Sequence, residues 1–169
     1  MIETDRLYIR PMDKSDEKAF INGIEDRALR VAYGFPENMD DTVPPQIFRQ
    51  FCSLSGAYSI IEKPTDRMVG FLLNVESELP ATITETLRGT GRTLAFATFK
   101  PYQRLGYMAE ALNAYISRLF LNPEVAYIHC GHFTDNEPSR LLLNKLGFCE
   151  YASHSVKERI IIDCIKAGE

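Results

Sequence analysis

Apolar residues recur along this chain with two different periods, and the switches between them mark its elements. Residues 7–10 alternate as a short strand that Pro11 closes. Asp13 or Ser15 caps a following helix that runs through Phe20 to about Ile24, with Asp16 and Glu17 in its first turn. Between Asp26 and Asp41 the periodicity weakens under Gly34, Pro36 and Asn38, which predicts short helical pieces and loop. Thr42, Pro44 and Pro45 open another helix carrying Ile47, Phe48, Phe51 and Leu54, with Gly56 as its stop. Residues 57–61 and 68–75 read as a hairpin turning at 63–67. The stretch 76–91 admits two readings, a strand through Thr82, Ile83 and Thr84 or a mobile loop. Residues 92–99 form an apolar strand, 100–106 a loop, and a helix starts at about Tyr107, with Met108, Leu112, Tyr115, Ile116 and Leu119 on one face. After Asn122 and Pro123 come a buried-type strand at 125–130 and a helix begun by Asn136 and Pro138 and ended by Gly147. Strands at 148–151 and 159–165 finish the chain, the second of them strongly β-branched over 160–165. Helices interspersed among strands, with no internal repeat, predict one α/β (α+β) domain over residues 1–169. Its sheet is expected to be mixed, mostly antiparallel and flanked by helices.

The segment 92–120 carries the chemistry. A strand that enters a Gly-containing loop and then a helix makes an anion site. The first helical turn has backbone N–H groups without intrahelical partners, and the helix dipole adds partial positive charge there. Gly106 permits a positive φ or a close approach to a ligand, and Arg104 adds a guanidinium suited to phosphate. The competing reading is an ordinary βα unit whose loop binds nothing.

Composition narrows the partners. The chain has 169 residues, 45% hydrophobic and 25% charged, with a net charge of −4. That is a globular composition, and the acidic balance argues against nucleic acid. It favours, mildly, a cationic partner such as an amine. Cys52, Cys130, Cys149 and Cys164 form no C-x-x-C pair; they read as small buried hydrophobes in a reducing compartment, with no metal or disulfide framework. No signal-peptide pattern and no membrane-length apolar run is present, so a cytoplasmic protein is expected, with a homodimer left open.

Three stretches in register resemble the GNAT superfamily of acyl-CoA-dependent N-acetyltransferases, and especially its ribosomal-protein-alanine (Rim-type) branch. Segment 3–10, followed by Asp16, is similar to that branch's first strand and helix. Gln103, Gly106 and Met108 fall on the acetyl-CoA loop pattern Q/R-x-x-G-x-G/A, followed by Ala109, Glu110 and Ala111. Asn136 to Ser139, leading into segment 144–148, is similar to the family's asparagine-to-helix segment. The chain departs from the pattern at four places. Met108 stands where the loop pattern has Gly or Ala, and Arg104 where many Rim-type relatives have Gly. Thr93 occupies the place of an early-strand Glu, and Leu143 that of a Tyr.

The resemblance implies a ternary complex in which an amine attacks the thioester of acetyl-CoA directly, with no metal. It implies that Gln103, Arg104, Leu105, Gly106, Tyr107 and Met108 bind the cofactor's diphosphate. Backbone N–H groups near Thr98 and Phe99 would receive the oxyanion, Asn136 would hold the pantetheine amides, and Ser139 would serve the leaving thiolate. Ser139 and Asn136 have an alternative as helix-start residues. The base is open. His132 is the candidate imidazole, sharing a strand face with Cys130 while His129 takes the other. Glu78, Glu85 or a water relay are the alternatives. Three ligands as close as His129, Cys130 and His132 cannot converge on one zinc. The acceptor is a primary amine, either a protein N-terminus or a small molecule, selected by residues 26–55 and 76–91. A catalytically impaired acyl-CoA-binding module is the competing function.

Overall fold

The computed structural model describes residues 1–77, 79, 80, 83, 87 and 89–168. Glu78, Thr82, Thr84 and Glu85, on which a strand and two candidate bases were expected, lie outside the described residues. The strands are β1 Ile2–Glu3, β2 Leu7–Pro11, β3 Ala57–Glu62, β4 Arg67–Glu76, β5 Thr90–Thr98, β6 Val125–Phe133, β7 Cys149–Val156 and β8 Arg159–Ala167. The helices are α1 Glu17–Ile24, α2 Arg27–Tyr33, α3 Val43–Ser53, α4 Tyr107–Phe120 and α5 Glu137–Lys145. The strands are ordered β1-β2-β3-β4-β5-β6-β8-β7. β1–β2, β2–β3, β3–β4, β6–β8 and β8–β7 pair antiparallel, and β5 pairs with β6 in parallel. This is the mixed, largely antiparallel sheet that the pattern predicts.

The chain forms two compact units, Met1–Leu73 with Phe96–Ala114, and Asn74–Ala95 with Tyr115–Glu169. The first has an aromatic core. Phe20 of α1 meets Phe48 and Phe51 of α3 and Phe71 of β4, all with ring centroids 5.3–5.4 Å apart. Tilted and edge-on rings at this spacing satisfy the quadrupole as well as burying area. Below them Asp16 is buried, and its carboxylate accepts from Arg10 at 2.7 Å and from Ser59 Oγ at 2.6 Å. A buried carboxylate needs such partners to stay charged. Gly23 lets α1 approach the end of β5, because a Cβ there would meet the Phe99 ring at 2.3 Å.

In the second unit Asn74, buried, donates to Tyr115 Oη at 2.9 Å and accepts from Arg92 Nε at 2.7 Å. Helix α5 begins at Asn136 and ends as expected: Gly147 takes φ +80 just past it, and Phe148 N–H donates back to Leu143 O at 3.0 Å. Two local expectations need correction. Helix α3 stops at Ser53 with Leu54 in an extended conformation, so Gly56 is not its left-handed cap. Cys149 is exposed and Cys52 only half-buried, so of the four free cysteines just Cys130 and Cys164 are buried hydrophobes.

Candidate functional site

In the first unit the strand–loop–helix is built as the sequence predicts, with a 3-10 turn at Lys100–Tyr102 inside the loop. Gln103, Arg104, Leu105 and Gly106 are exposed, whereas Tyr107 and Met108 are buried. Met108 therefore packs inward, which is why a long side chain is tolerated where the loop pattern wants Gly or Ala. Arg104 takes φ +62 and Gly106 φ +81. The first is a conformation that L side chains rarely adopt and that glycine takes at no steric cost.

What holds the loop in this shape is β2's approach. Arg6 Nη1 donates to Leu105 O at 2.9 Å, and Arg6 Nε donates to Glu110 Oε2 at 2.7 Å. Glu110 Oε1 also accepts from Thr4 Oγ1 at 2.5 Å and from the Arg6 N–H at 2.9 Å. The guanidinium stacks on the Tyr107 ring at 4.7 Å, and Tyr107 Oη donates to Glu62. A carboxylate in the first turn of α4 would repel an incoming anion, but Arg6 neutralises Glu110 and turns it aside. Burial pushes the Glu110 carboxyl up, yet the hydrogen bonds from Thr4 and Arg6 outweigh it and hold it below its ordinary value. Leu105 O is thus occupied from within, Gly106 O accepts from the Glu110 N–H at 3.1 Å and the Gln103 N–H donates to Lys100 O at 3.4 Å, while residues 103–106 themselves are exposed. Gln103 Nε2 donates to Thr98 O at 3.1 Å, tying the loop to the end of β5. Phe99 N–H donates to Val69 O at 2.9 Å, so of the two expected oxyanion donors this one is engaged by β4.

In the second unit Asn136 caps α5, its Oδ1 accepting from Ser139 N–H at 3.3 Å. Ser139 is half-buried in the first helical turn. Leu143 is fully buried, as a core residue should be. His132 is sealed in: its side chain is 1% exposed, Nδ1–H donates to Phe133 O at 2.9 Å, and Nε2 has no hydrogen-bond partner among the described residues. Glu150 Oε1 lies 4.0 Å from Nε2, just beyond hydrogen-bond distance. His129, to which the motifs assign no role, is better connected. It lies on β6 between Thr93 of β5 and Asp163 of β8, within hydrogen-bond distance of both. Nothing in the sequence marks that row, because its members come from three strands with separations of 34 and 36 residues. No group of residues able to hold a metal occurs among the described residues. Nor is any described helix long and apolar enough to cross a membrane.

Comparison with known proteins bears on this geometry. A family model described as "Acetyltransferase (GNAT) domain" matches residues 6–149. The fold is similar to a GNAT-family acetyltransferase from Bacillus anthracis, with TM-score 0.79 and 15% identity over 99% of this chain and 98% of that one. It is similar to a ribosomal-protein-S5-alanine acetyltransferase from Vibrio fischeri, with TM-score 0.75 and 17% identity over 99% and 96%. It is also similar to a spermidine N-acetyltransferase from Vibrio cholerae, solved with CoA and spermine, with TM-score 0.75 and 10% identity over 98% and 97%. No curated protein sequence matches the chain.

Proposed function

Because the chain belongs to the GNAT family of acetyltransferases, we propose that it transfers the acetyl group of acetyl-CoA to a primary amine by direct attack in a ternary complex. The observation that carries this reading is the exposed loop 103–106 at the start of α4, with Leu105 O held by Arg6 and Glu110 paired to the same guanidinium. Gln103, Arg104, Leu105, Gly106 and the first N–H groups of α4 would hold the diphosphate, with Tyr107 and Met108 packing beneath them. The acyl oxygen would lie against the Thr98 N–H, since Phe99's is engaged. Asn136 would hold the pantetheine arm while capping α5, and Ser139 would donate to the leaving thiolate.

The acceptor carries a cationic amine, in keeping with the net charge of −4. A polyamine and a protein N-terminal alanine are its two forms, matching what the Vibrio cholerae and Vibrio fischeri proteins are named for. Thiol release from acetyl-CoA, measured with spermidine and with an alanine-initiated peptide, tests the proposal. Amine-dependent release supports it. Tight CoA binding with only slow hydrolysis, whatever the amine, would instead favour the acyl-CoA-binding module, in line with a buried leucine at 143 in place of a tyrosine.

A further inference from the structure

In the second unit the strands run β5-β6-β8-β7, and β7 closes the series with β8 on one side and no described strand on the other. At such an edge alternate backbone N–H and C=O groups point away from the sheet and offer a template for another strand. No backbone hydrogen bond from a turn or loop among the described residues reaches 149–156. Natural edges are guarded by lysine, proline or a covering segment. The eight residues of β7 include one carboxylate, Glu150, and neither lysine nor proline. A bulge between Glu150 and Ala152 is its one irregularity. From Ala152 to Val156 the strand pairs residue for residue with Asp163 back to Arg159.

Exposure sets this strand apart. A strand packed on one face alternates covered and open positions. In β7 only Tyr151 is partly covered, and the other seven residues are exposed on both faces. Val156, 40% exposed, is a strand former whose branched side chain is stabilised by cross-strand neighbours. It has such a neighbour on one side alone, Arg159 of β8.

We infer that β7 pairs antiparallel with β7 of a second copy of this chain, about a two-fold axis at His154. Residues opposite each other in an antiparallel pair share a face, and a two-fold axis perpendicular to the sheet preserves faces. Ala152, His154 and Val156 lie on one face of β7, and Ser153 and Ser155 on the other. An axis at His154 therefore sets Ala152 against Val156 of the other copy, and Ser153 against Ser155. His154 Nδ1 is 2.7 Å from Asp163 Oδ2, so each imidazole is held toward β8 and away from its counterpart. The bulge completes the match. Tyr151 and Ala152 together oppose Val156 of the other copy, which brings Glu150 opposite Lys157. The Glu150 side chain is 49% exposed, and Lys157 is exposed just past the strand's end. One opposite-charge pair results at each end of the joint. A parallel alignment would set Glu150 beside Glu150 and Lys157 beside Lys157. A foreign strand of a single charge sign would match one end and repel the other, so the strand's own sequence is the partner that fits. Pairing at β7 does not depend on the acetyl-transfer reading.

The test is sedimentation velocity of the full chain across micromolar concentrations. A thiol reductant is present throughout, so that the exposed Cys149 cannot cross-link two copies. The wild type is expected to sediment as a dimer that dissociates on dilution. Glu150→Lys and Lys157→Glu each place like charges at both ends of the joint, and each is expected to raise the dimer Kd about tenfold. Glu150→Lys/Lys157→Glu restores opposite charges and is expected to return the Kd to the wild-type value. Within one copy the two residues stand at opposite ends of an eight-residue strand, so rescue by the swap reports contact between copies. Amide hydrogen exchange over 152–156 is expected to slow as the wild-type concentration rises. A wild type that stays monomeric, single variants that dimerise as tightly as the wild type, or a double swap no tighter than either single variant would overturn the pairing. So would exchange over 152–156 that is independent of concentration.

Discussion

At the residue scale the chain shows what a motif can and cannot reveal. Ser139 stands out in the sequence because it follows Asn136 at cap spacing, and the cap is formed. If its hydroxyl serves the thiolate, Ser139→Ala should lower kcat about tenfold or more while leaving the dissociation constant of acetyl-CoA unchanged. Single-turnover kinetics beside an equilibrium titration would separate the two. Gln103, Gly106 and Asn136 were legible for the same reason, being local in sequence. Thr93, His129 and Asp163 were not, because a row across strands depends on register, and one residue of slip would send each side chain to the opposite face. Strand alternation separates His132 from His129, but alternation alone does not say which face stays open to solvent; the His132 side chain is 1% exposed, with Nε2 4.0 Å from Glu150 Oε1.

Elements make the loop what it is. Arg6 precedes β2, Glu110 is in the first turn of α4, and their ion pair fixes Leu105 O between them. Arg6→Ala removes a charge-assisted hydrogen bond to that carbonyl and leaves Glu110 uncompensated beside the anion site. Acetyl-CoA affinity should fall about 10- to 150-fold, from ~1.5–3 kcal/mol for such a bond, and Arg6→Ala/Glu110→Ala should recover part of it. The same carboxylate sets a pH dependence. Its folded pKa lies below the ordinary 4.5, so it contributes stability above that value which is lost as pH falls through the folded pKa. Glu110→Gln should flatten the acid side of a plot of urea midpoint against pH. Deeper in the same unit, Asp16→Ala strands Arg10 and Ser59 without their shared acceptor. It should cost about 3–5 kcal/mol of unfolding free energy by urea titration.

For the whole molecule, periodicity and turn chemistry were enough to give the class and nearly every element. Amphipathic α4, the β3–β4 hairpin and the Gly147 stop lie where the pattern puts them. The parallel β5–β6 pair follows from physics too, since a strand followed by a helix returns beside itself only by a crossover. The order of β8 ahead of β7 at the sheet edge was not legible, because nothing local in 148–165 distinguishes which strand pairs with β6.

Acetyl transfer by this chain requires the backbone around Gly106 to receive a diphosphate-bearing thioester. Calorimetric titration of the wild-type chain and of Gly106→Val with acetyl-CoA measures this directly. At φ +81 a β-branched side chain is strained, and its Cβ would stand 3.4 Å from Arg6 Nη2. The wild type should bind one equivalent saturably, and the variant about 5- to 30-fold more weakly, from 1–2 kcal/mol of backbone strain. Equal affinity in the two proteins, or no binding by the wild type, would contradict it.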